Sequence, residues 1–450
     1  MATAKVTVGI LRKLIAGGVT GRAERLLARL HPADLAPLLS GLDHDEIRRV
    51  VDLLFSNQRA ASTLKELPPE MLPEVIEALT DERLAGVLAR LEIDDLLEMI
   101  NAVPEERREA VVTLLPESKR AELHKAEMYP PSSAGRAMTT HYVALDEKMT
   151  AQEAIDRLRS FGDDAETIMY LYVVNEEGRL RGVVPIRRLV SAPPSRPCGE
   201  LMIPDPANVN AFADQEEAAR LVARYNLLAI PVVDEVGRML GVITVDDVID
   251  VITEEATEDM YHMAGLSEED RVFSPASTSV RKRLPWMMIN LATAFLAAWV
   301  VGLFEHSIQQ IVALAVFMPI VAGMGGNGGT QALTVITRGI ALGEIEFSTG
   351  LRAVLKEVLV GVVIGAATGL VSAGIALVWR GNPYLGLVLF LAMVINMGVA
   401  GLSGAAIPLM LKAVRQDPAL GSGVIVTTFT DVFGFLSFLG IGTLMINYLR

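Results

Sequence analysis

The sequence predicts a multidomain chain with an all-α superhelical repeat domain, an α/β domain made by duplicating one unit, and an all-α transmembrane domain of five helices. Three observations carry that prediction. An apolar residue recurs every twelve positions in part of the first 128 residues, two segments starting at Val173 and Val232 align, and long apolar runs with few charges fill 285–450.

Composition narrows the function. With 54 acidic against 40 basic residues the net charge is −14, which argues against a nucleic-acid partner. The lone cysteine, Cys198, excludes an internal disulfide framework and suits a reducing compartment. The opening MATAKVTVGILRKLIAGG lacks the apolar core and cleavage site of a signal peptide. His31, His44, His124, His141, His262 and His306 show no ligand spacing, and no nucleophile–base pair stands out, so the chain is not read as an enzyme.

In residues 1–128 the recurring positions are Leu67, Leu79, Leu91, Val103 and Leu115, followed directly at four of them by Pro68, Thr80, Pro104 and Pro116. Thr and Pro are favoured at helix starts, where first-turn N–H groups lack internal partners. Short helices at a fixed period read as an α-solenoid whose units bury a face only against their neighbours. Asp94, Asp95 and Glu98 fall within one helical turn and, taken alone, read as a solvated acidic face.

The aligned segments are VVNEEGRLRGVVPIRRL and VVDEVGRMLGVITVDDV. Each reads as strand, turn, strand and helix, with a strand and helix upstream. This tandem resembles a pair of cystathionine-β-synthase-type (CBS) domains, over 129–198 and 199–253. The resemblance implies an adenine-nucleotide site in which a Thr and an Asp hold the ribose. Thr244 and Asp247 match in the second copy, whereas Pro185 and Arg188 replace them in the first.

The connecting stretch, 254–284 with the acidic run beginning just upstream, is predicted to be a helix. Residues 246–270 hold ten carboxylates, including Glu268, Glu269 and Asp270, and neither Lys nor Arg. Asp247, Asp250, Glu254 and Glu258 recur at three- and four-residue steps, one stripe of a helix. Like charges so placed repel, and no basic side chain is local, so divalent cations are the natural counter-charge.

Within 285–450 five spans are drawn, at about 286–305, 308–337, 353–379, 384–411 and 421–446. Arg281, Lys282, Arg283, Arg338, Arg352, Lys356, Lys412 and Arg415 fall on one side, against Arg380 and Arg450 on the other. The positive-inside rule then puts the amino terminus in the cytoplasm and the carboxyl terminus outside. The second span carries Pro319 and GMGGNGGTQ from Gly323 to Gln331. So many glycines predict a broken helix, with freed carbonyls such as that of Gly325 and the Asn327 amide facing ions; close helix packing is the competing reading. In the fifth span the single ionisable residue is Asp431, with Thr427, Thr428 and Gly434 on its face. A carboxylate at bilayer depth costs roughly 2.5–3.5 kcal/mol on insertion scales, so it is expected to line a cation path or to bond a neighbouring helix.

The order of parts, with PIVAGMGGNGGTQALTVITRGIA, TTFTDVFGF and the DPAL of Asp417–Leu420, is similar to the MgtE magnesium transporters over essentially the whole chain. The resemblance implies a homodimer in the cell membrane that takes up Mg²⁺ and contacts lipid. It also implies hydrated Mg²⁺ at Asp431, and regulatory Mg²⁺ at Asp94, Glu98, Asp247, Asp250, Glu255, Glu258 and Asp259, with Glu254 in the same stripe. Ligands limited to carboxylate, hydroxyl, amide and carbonyl oxygen favour a hard ion, with Co²⁺, Mn²⁺ or Zn²⁺ as the alternative cargo.

Overall fold

The computed structural model describes all residues except 1–7, 18–19, 40–41, 57–58, 68–70, 162–167, 267–269, 271–275, 346–348, 415 and 450. Pro68, Glu268, Glu269, Arg415 and Arg450 therefore lie outside the described residues. The chain divides into two compact units, Met1–Ile252 and Thr253–Arg450.

The first unit opens with short helices. Those at Asp81–Leu88, Ile93–Ala102, Glu105–Leu114 and Glu117–Ala126 each start two residues after a recurring apolar position, Leu79, Leu91, Val103 and Leu115. Leu67, Leu79, Leu91, Val103 and Leu115 are all 4% exposed or less, so the period marks the residues that seal one helix against the next. Thr80 caps its helix by accepting a bond from the Arg83 N–H. Basic side chains tie the array at a longer step: Arg107 donates to the carbonyls of Ile76 and Leu79, and Lys119 to that of Leu91. Cations at helix C-termini neutralise carbonyls that have no partner within the helix.

Two small sheets follow. Strands Ala144–Asp146, Tyr170–Val174, Leu180–Pro185 and Ile203–Pro204 form the first, and Val209–Asn210, Ala229–Val233 and Met239–Thr244 the second. In each, a parallel pair is followed by an antiparallel hairpin, Tyr170 facing Pro185 and Ala229 facing Thr244, with a register shift after Val173 or Val232. The turns repeat too. The Asn175 side chain accepts from the Glu177 and Arg179 N–H groups, and that of Asp234 from those of Val236 and Arg238. Gly178 and Gly237 hold φ of +76° and +80°, a conformation costly for a residue with a Cβ. The duplication is thus preserved down to hydrogen bonds.

The acidic helix runs from Val245 to Met263, so the stripe lies on one continuous element that leaves the second sheet directly. The expected extension over 254–284 stops at Met263, and a new helix starts at Ala276. Asp270, expected to lack a basic neighbour, is buried and bonded to Arg283 and to Ser279.

In the second unit, four helices among the described residues are long and apolar enough to cross a membrane: Ala276–Gly302, Gly350–Arg380, Pro383–Ala413 and Ser422–Leu444. A further helix, Ala313–Ala341, overlaps the second predicted span and carries the glycine segment, Asn327 and Gln331. In chain order these five long helices are called the first to the fifth. The basic cluster Arg281–Arg283 and Pro285 lie inside the first helix rather than before it.

The predicted break at Gly323–Gln331 does not occur, and the second helix continues through it. Packing explains why. A Cβ on Gly328 would come within 2.9 Å of Met397 Sδ, and one on Gly404 of the fourth helix within 2.6 Å of the Gly329 carbonyl. Glycine costs about 1 kcal/mol relative to Ala in a helix, but here Ala would collide, so close packing overrides propensity.

The third and fourth helices meet even more closely. A Cβ on Gly361 would strike the Met397 carbonyl, one on Gly365 would lie 2.7 Å from the Met393 carbonyl, and one on Gly401 would strike that of Glu357. Gly365→Val is therefore expected to lower thermal stability in detergent strongly, beyond the about 1–3 kcal/mol typical of overpacking. Gly374→Val, where a Cβ meets open space, is the control and is expected to leave stability nearly unchanged.

Candidate functional site

In the first unit the acidic residues converge on the seam between the helical array and the second sheet. Glu92 precedes the helix Ile93–Ala102, and its carboxylate bonds to His141 and accepts from the Thr139 hydroxyl at 3.2 Å. Burial is the largest single influence and opposes its charge, but the His141 bond and charge, with Lys119 and the Thr139 hydroxyl, together outweigh it and hold Glu92 below its ordinary range, while the same bond raises His141. Two residues on, in the first turn of the helix, Asp94 has no such partner. Its Oδ1 is out of solvent and unbonded among the described residues. Burial first, then the charges of Asp247 and Asp95, push it from 3.8 to about 7.

Asp247 lies on the facing element, in the first turn of the acidic helix. Its Oδ2 accepts from the Thr244 N–H at 3.2 Å and from the Thr244 hydroxyl. It too is raised, by burial. Asp95 sits 3.7 Å from Lys65, and Glu98 and Asp250 are exposed. The structure thus brings Asp94 and Asp247 together as a mutually repelling, half-buried pair. Thr244 is 3% exposed and its hydroxyl is already spent on Asp247, so a ribose would have to displace that bond.

The second unit holds another group. Glu258, His262 and Asp417 each direct one ligand atom into a cluster whose atoms all lie within 4.8 Å of one another. His262 Nδ1 is 2.6 Å from Asp417 Oδ2 and 3.6 Å from Glu258 Oε1. Asp259 beside them is half-buried, and burial, then Asp417 and Glu255, push it from 3.8 to about 6. This corrects the reading that no histidine has ligand spacing. Glu258 and His262 are four apart on one helix face, a spacing visible in sequence, whereas Asp417 is 155 residues from His262 and is joined to it only by the fold. Glu254 is exposed on the same helix.

On the fifth helix, Thr427, Thr428 and Asp431 share one half-exposed face. The Thr428 hydroxyl donates to the Val424 carbonyl at 2.7 Å and that of Thr427 to the Gly423 and Val424 carbonyls at 3.0 Å, leaving their lone pairs outward. Asp431 has no hydrogen bond or ion pair among the described residues. The second helix runs alongside: a Cβ on Gly326 would lie 4.0 Å from Thr427 Cγ2. Asn327 is exposed. Gly325 is a correction, because the unbroken helix frees no carbonyl there and its missing side chain instead makes room for Asn396.

Profiles of known families match along the chain: an MgtE intracellular N domain at 30–132, CBS domains at 134–195 and 198–254, and a divalent cation transporter domain at 318–441. The magnesium transporter MgtE of Thermus thermophilus is 36% identical over 442 residues, 97% of this chain and 98% of the relative. That of Bacillus subtilis is 38% identical over 333 residues, 74% of this chain and 73% of the relative. A crystal structure of the cytosolic domain of the Mg²⁺ channel MgtE in complex with ATP is 39% identical. It superposes with a TM-score of 0.52, covering 54% of this chain and 99% of that one.

Proposed function

Since the chain belongs to the MgtE family of magnesium transporters and carries the long apolar helices of a membrane protein, we propose that it is a channel-type Mg²⁺ transporter closed by cytosolic Mg²⁺. In this reading it works as a homodimer in the plasma membrane, amino terminus inside and carboxyl terminus outside, and mediates Mg²⁺ uptake. Asp431, Thr427, Thr428 and Asn327 line the path, with Gly325 setting its spacing. Asp94, Glu98, Asp247, Asp250, Glu254, Glu255, Glu258 and Asp259 bind the regulatory ions.

The observation that carries the gating half is the Asp94–Asp247 pair. Two facing carboxylates, one with a buried oxygen lacking a donor among the described residues, are a costly arrangement that a divalent cation with oxygen ligands relieves. The Glu255, Glu258, Asp259 and Asp417 group supports it in the same way. With ions bound, repulsion is cancelled and the closed packing is favoured. As Mg²⁺ falls, repulsion favours separation and the path is released. The ions shift this equilibrium only through their higher affinity for the closed state, and several weak sites make the response steep. Since Mg²⁺ dehydrates reluctantly, the passing ion keeps much of its water, bonded to Asp431 and the threonine lone pairs.

ATP at Thr244 and Asp247 is a secondary ligand, supported by the ATP complex of the similar cytosolic domain. Transport of Co²⁺, Mn²⁺ or Zn²⁺ is the second reading, favoured only by the imidazole of His262 beside Glu258 and Asp417.

The test is Mg²⁺ uptake into proteoliposomes with Mg²⁺ varied on the face bearing the acidic domains. Uptake is expected to fall several-fold as that Mg²⁺ rises into the millimolar range. Uptake independent of it would remove the gating role, and preference for Zn²⁺ or Mn²⁺ over Mg²⁺ would move the chain to the second reading.

A further inference from the structure

Asn396 lies near the middle of the fourth helix and is 0% exposed. Its Nδ2 donates to the Val321 carbonyl of the second helix at 2.8 Å. Its Oδ1 is buried with no hydrogen-bond partner among the described residues. The amide sits against two glycines at once. A Cβ on Gly434 of the fifth helix would lie 2.6 Å from Nδ2 and 3.0 Å from Cγ. One on Gly325 of the second helix would lie 2.9 Å from Cγ, and Oδ1 is 3.1 Å from both Cβ positions. One side chain therefore fills the gap that two glycines leave on two other helices.

Location gives this wedge a meaning. Gly325 is two residues before Asn327, and Gly434 is three residues after Asp431, so the amide touches both candidate path helices at the depth of their polar groups. An apolar side chain of similar size would fill the same space without burying an unpaired acceptor, which is costly where no water reaches. Stability alone does not explain an amide here. What the amide adds is a directional bond to a backbone carbonyl, which fixes both the separation and the rotation of the second helix, whereas apolar packing tolerates small rotations.

We propose that Asn396 is a positioning residue of the ion path: its amide, clasped by Gly325 and Gly434, sets the distance and rotation between the helices bearing Asn327 and Asp431. The inference rests on the path reading above and deepens it. Its consequence is specific. A hydrated cation is held through water, so a change in helix separation alters which hydrated ion fits before it alters whether the helices assemble.

The experiment measures uptake in proteoliposomes of the full chain for Asn396→Leu and Gly434→Ala, which disturb the wedge from its two sides, with Asp431→Ala as reference. Half-saturating external Mg²⁺ and the Mg²⁺-to-Co²⁺ uptake ratio are read together with thermal stability in detergent. Both wedge variants are expected to raise half-saturation and lower that ratio at least about threefold. The Mg²⁺ concentration that closes the protein from the cytosolic face should stay at the wild-type value. Unchanged half-saturation and ratio in well-folded Asn396→Leu, with Asp431→Ala inactive, would overturn the inference while leaving the path reading intact. Normal uptake by Asp431→Ala would instead sink the path reading itself. Failure of both wedge variants to assemble would also overturn the inference, since Asn396 would then serve the fold rather than the path.

Discussion

Asp431→Ala is expected to reduce Mg²⁺ uptake by roughly 10- to 100-fold, the equivalent of the about 1.5–3 kcal/mol of a hydrogen bond to a charged group. The same change should leave the protein at least as stable as wild type. A carboxylate within a membrane helix costs roughly 2.5–3.5 kcal/mol on insertion scales, and Asp431 recovers none of this through a partner among the described residues. The two expectations together are stronger than either alone. Lost uptake with raised thermal stability in detergent identifies a group kept for function. Lost uptake with lost stability would assign Asp431 to helix assembly, and full uptake would remove it from the path. Asp431→Asn should behave as Ala does for uptake, because shape without charge cannot hold a doubly charged ion's water shell as firmly.

The second large effect concerns pH. Asp94 is raised in the folded protein from its ordinary 3.8 to about 7, by burial and then by Asp247 and Asp95. Between those values the folded state holds a proton that the unfolded chain has released, so without Mg²⁺ stability should fall as pH rises from about 4 to about 7 and level off above. Adding Mg²⁺ at pH 8 should restore the loss. Asp94→Asn should flatten the slope and raise Mg²⁺-free stability at pH 8 by about 1–2 kcal/mol, allowing for solvent screening of a half-exposed group. Hydrogen-exchange protection of Ile93–Ala102 in the full chain, with and without Mg²⁺ across pH 5–8, reads this directly. A slope of opposite sign, or one that survives in Asp94→Asn, would show that another group controls the seam.

How far such features can be read from the chain depends on how local their causes are. Helix starts at Asp81, Ile93, Glu105 and Glu117 follow from the Thr80 cap, from Pro104 and Pro116, and from apolar spacing within a few residues, and the twelve-residue period announces them. The duplicated hairpins are legible because two copies of one segment must repeat the same bonds. The acidic stripe was equally plain. The glycine segment misled because helix propensity is a local property, whereas the unbroken helix depends on Asn396, Met397 and Gly404, which come from another helix. The bond between Glu92 and His141 spans 49 residues and that between His262 and Asp417 spans 155, with nothing at either end to announce the other. Glu258 and His262 did carry a signal, an i and i+4 pair of ligating types, and it is the one cue that local reading could have used.

The contact between the third and fourth helices limits how this protein can move. Where Gly361, Gly365 and Gly401 bring backbone against backbone, no layer of flexible side chains lies between the two helices to absorb a sliding step. A shift of one residue along the axis, about 1.5 Å, would carry the glycines off the opposing carbonyls and drive side chains into them. Shear, the commonest small motion of packed helices, is therefore closed to this pair, and hinge-like tilting of the pair as one stiff rod is what remains. On the proposed path reading, opening then leaves the mutual register of this pair unchanged, and the motion falls to the other helices or to the pair tilting as one body.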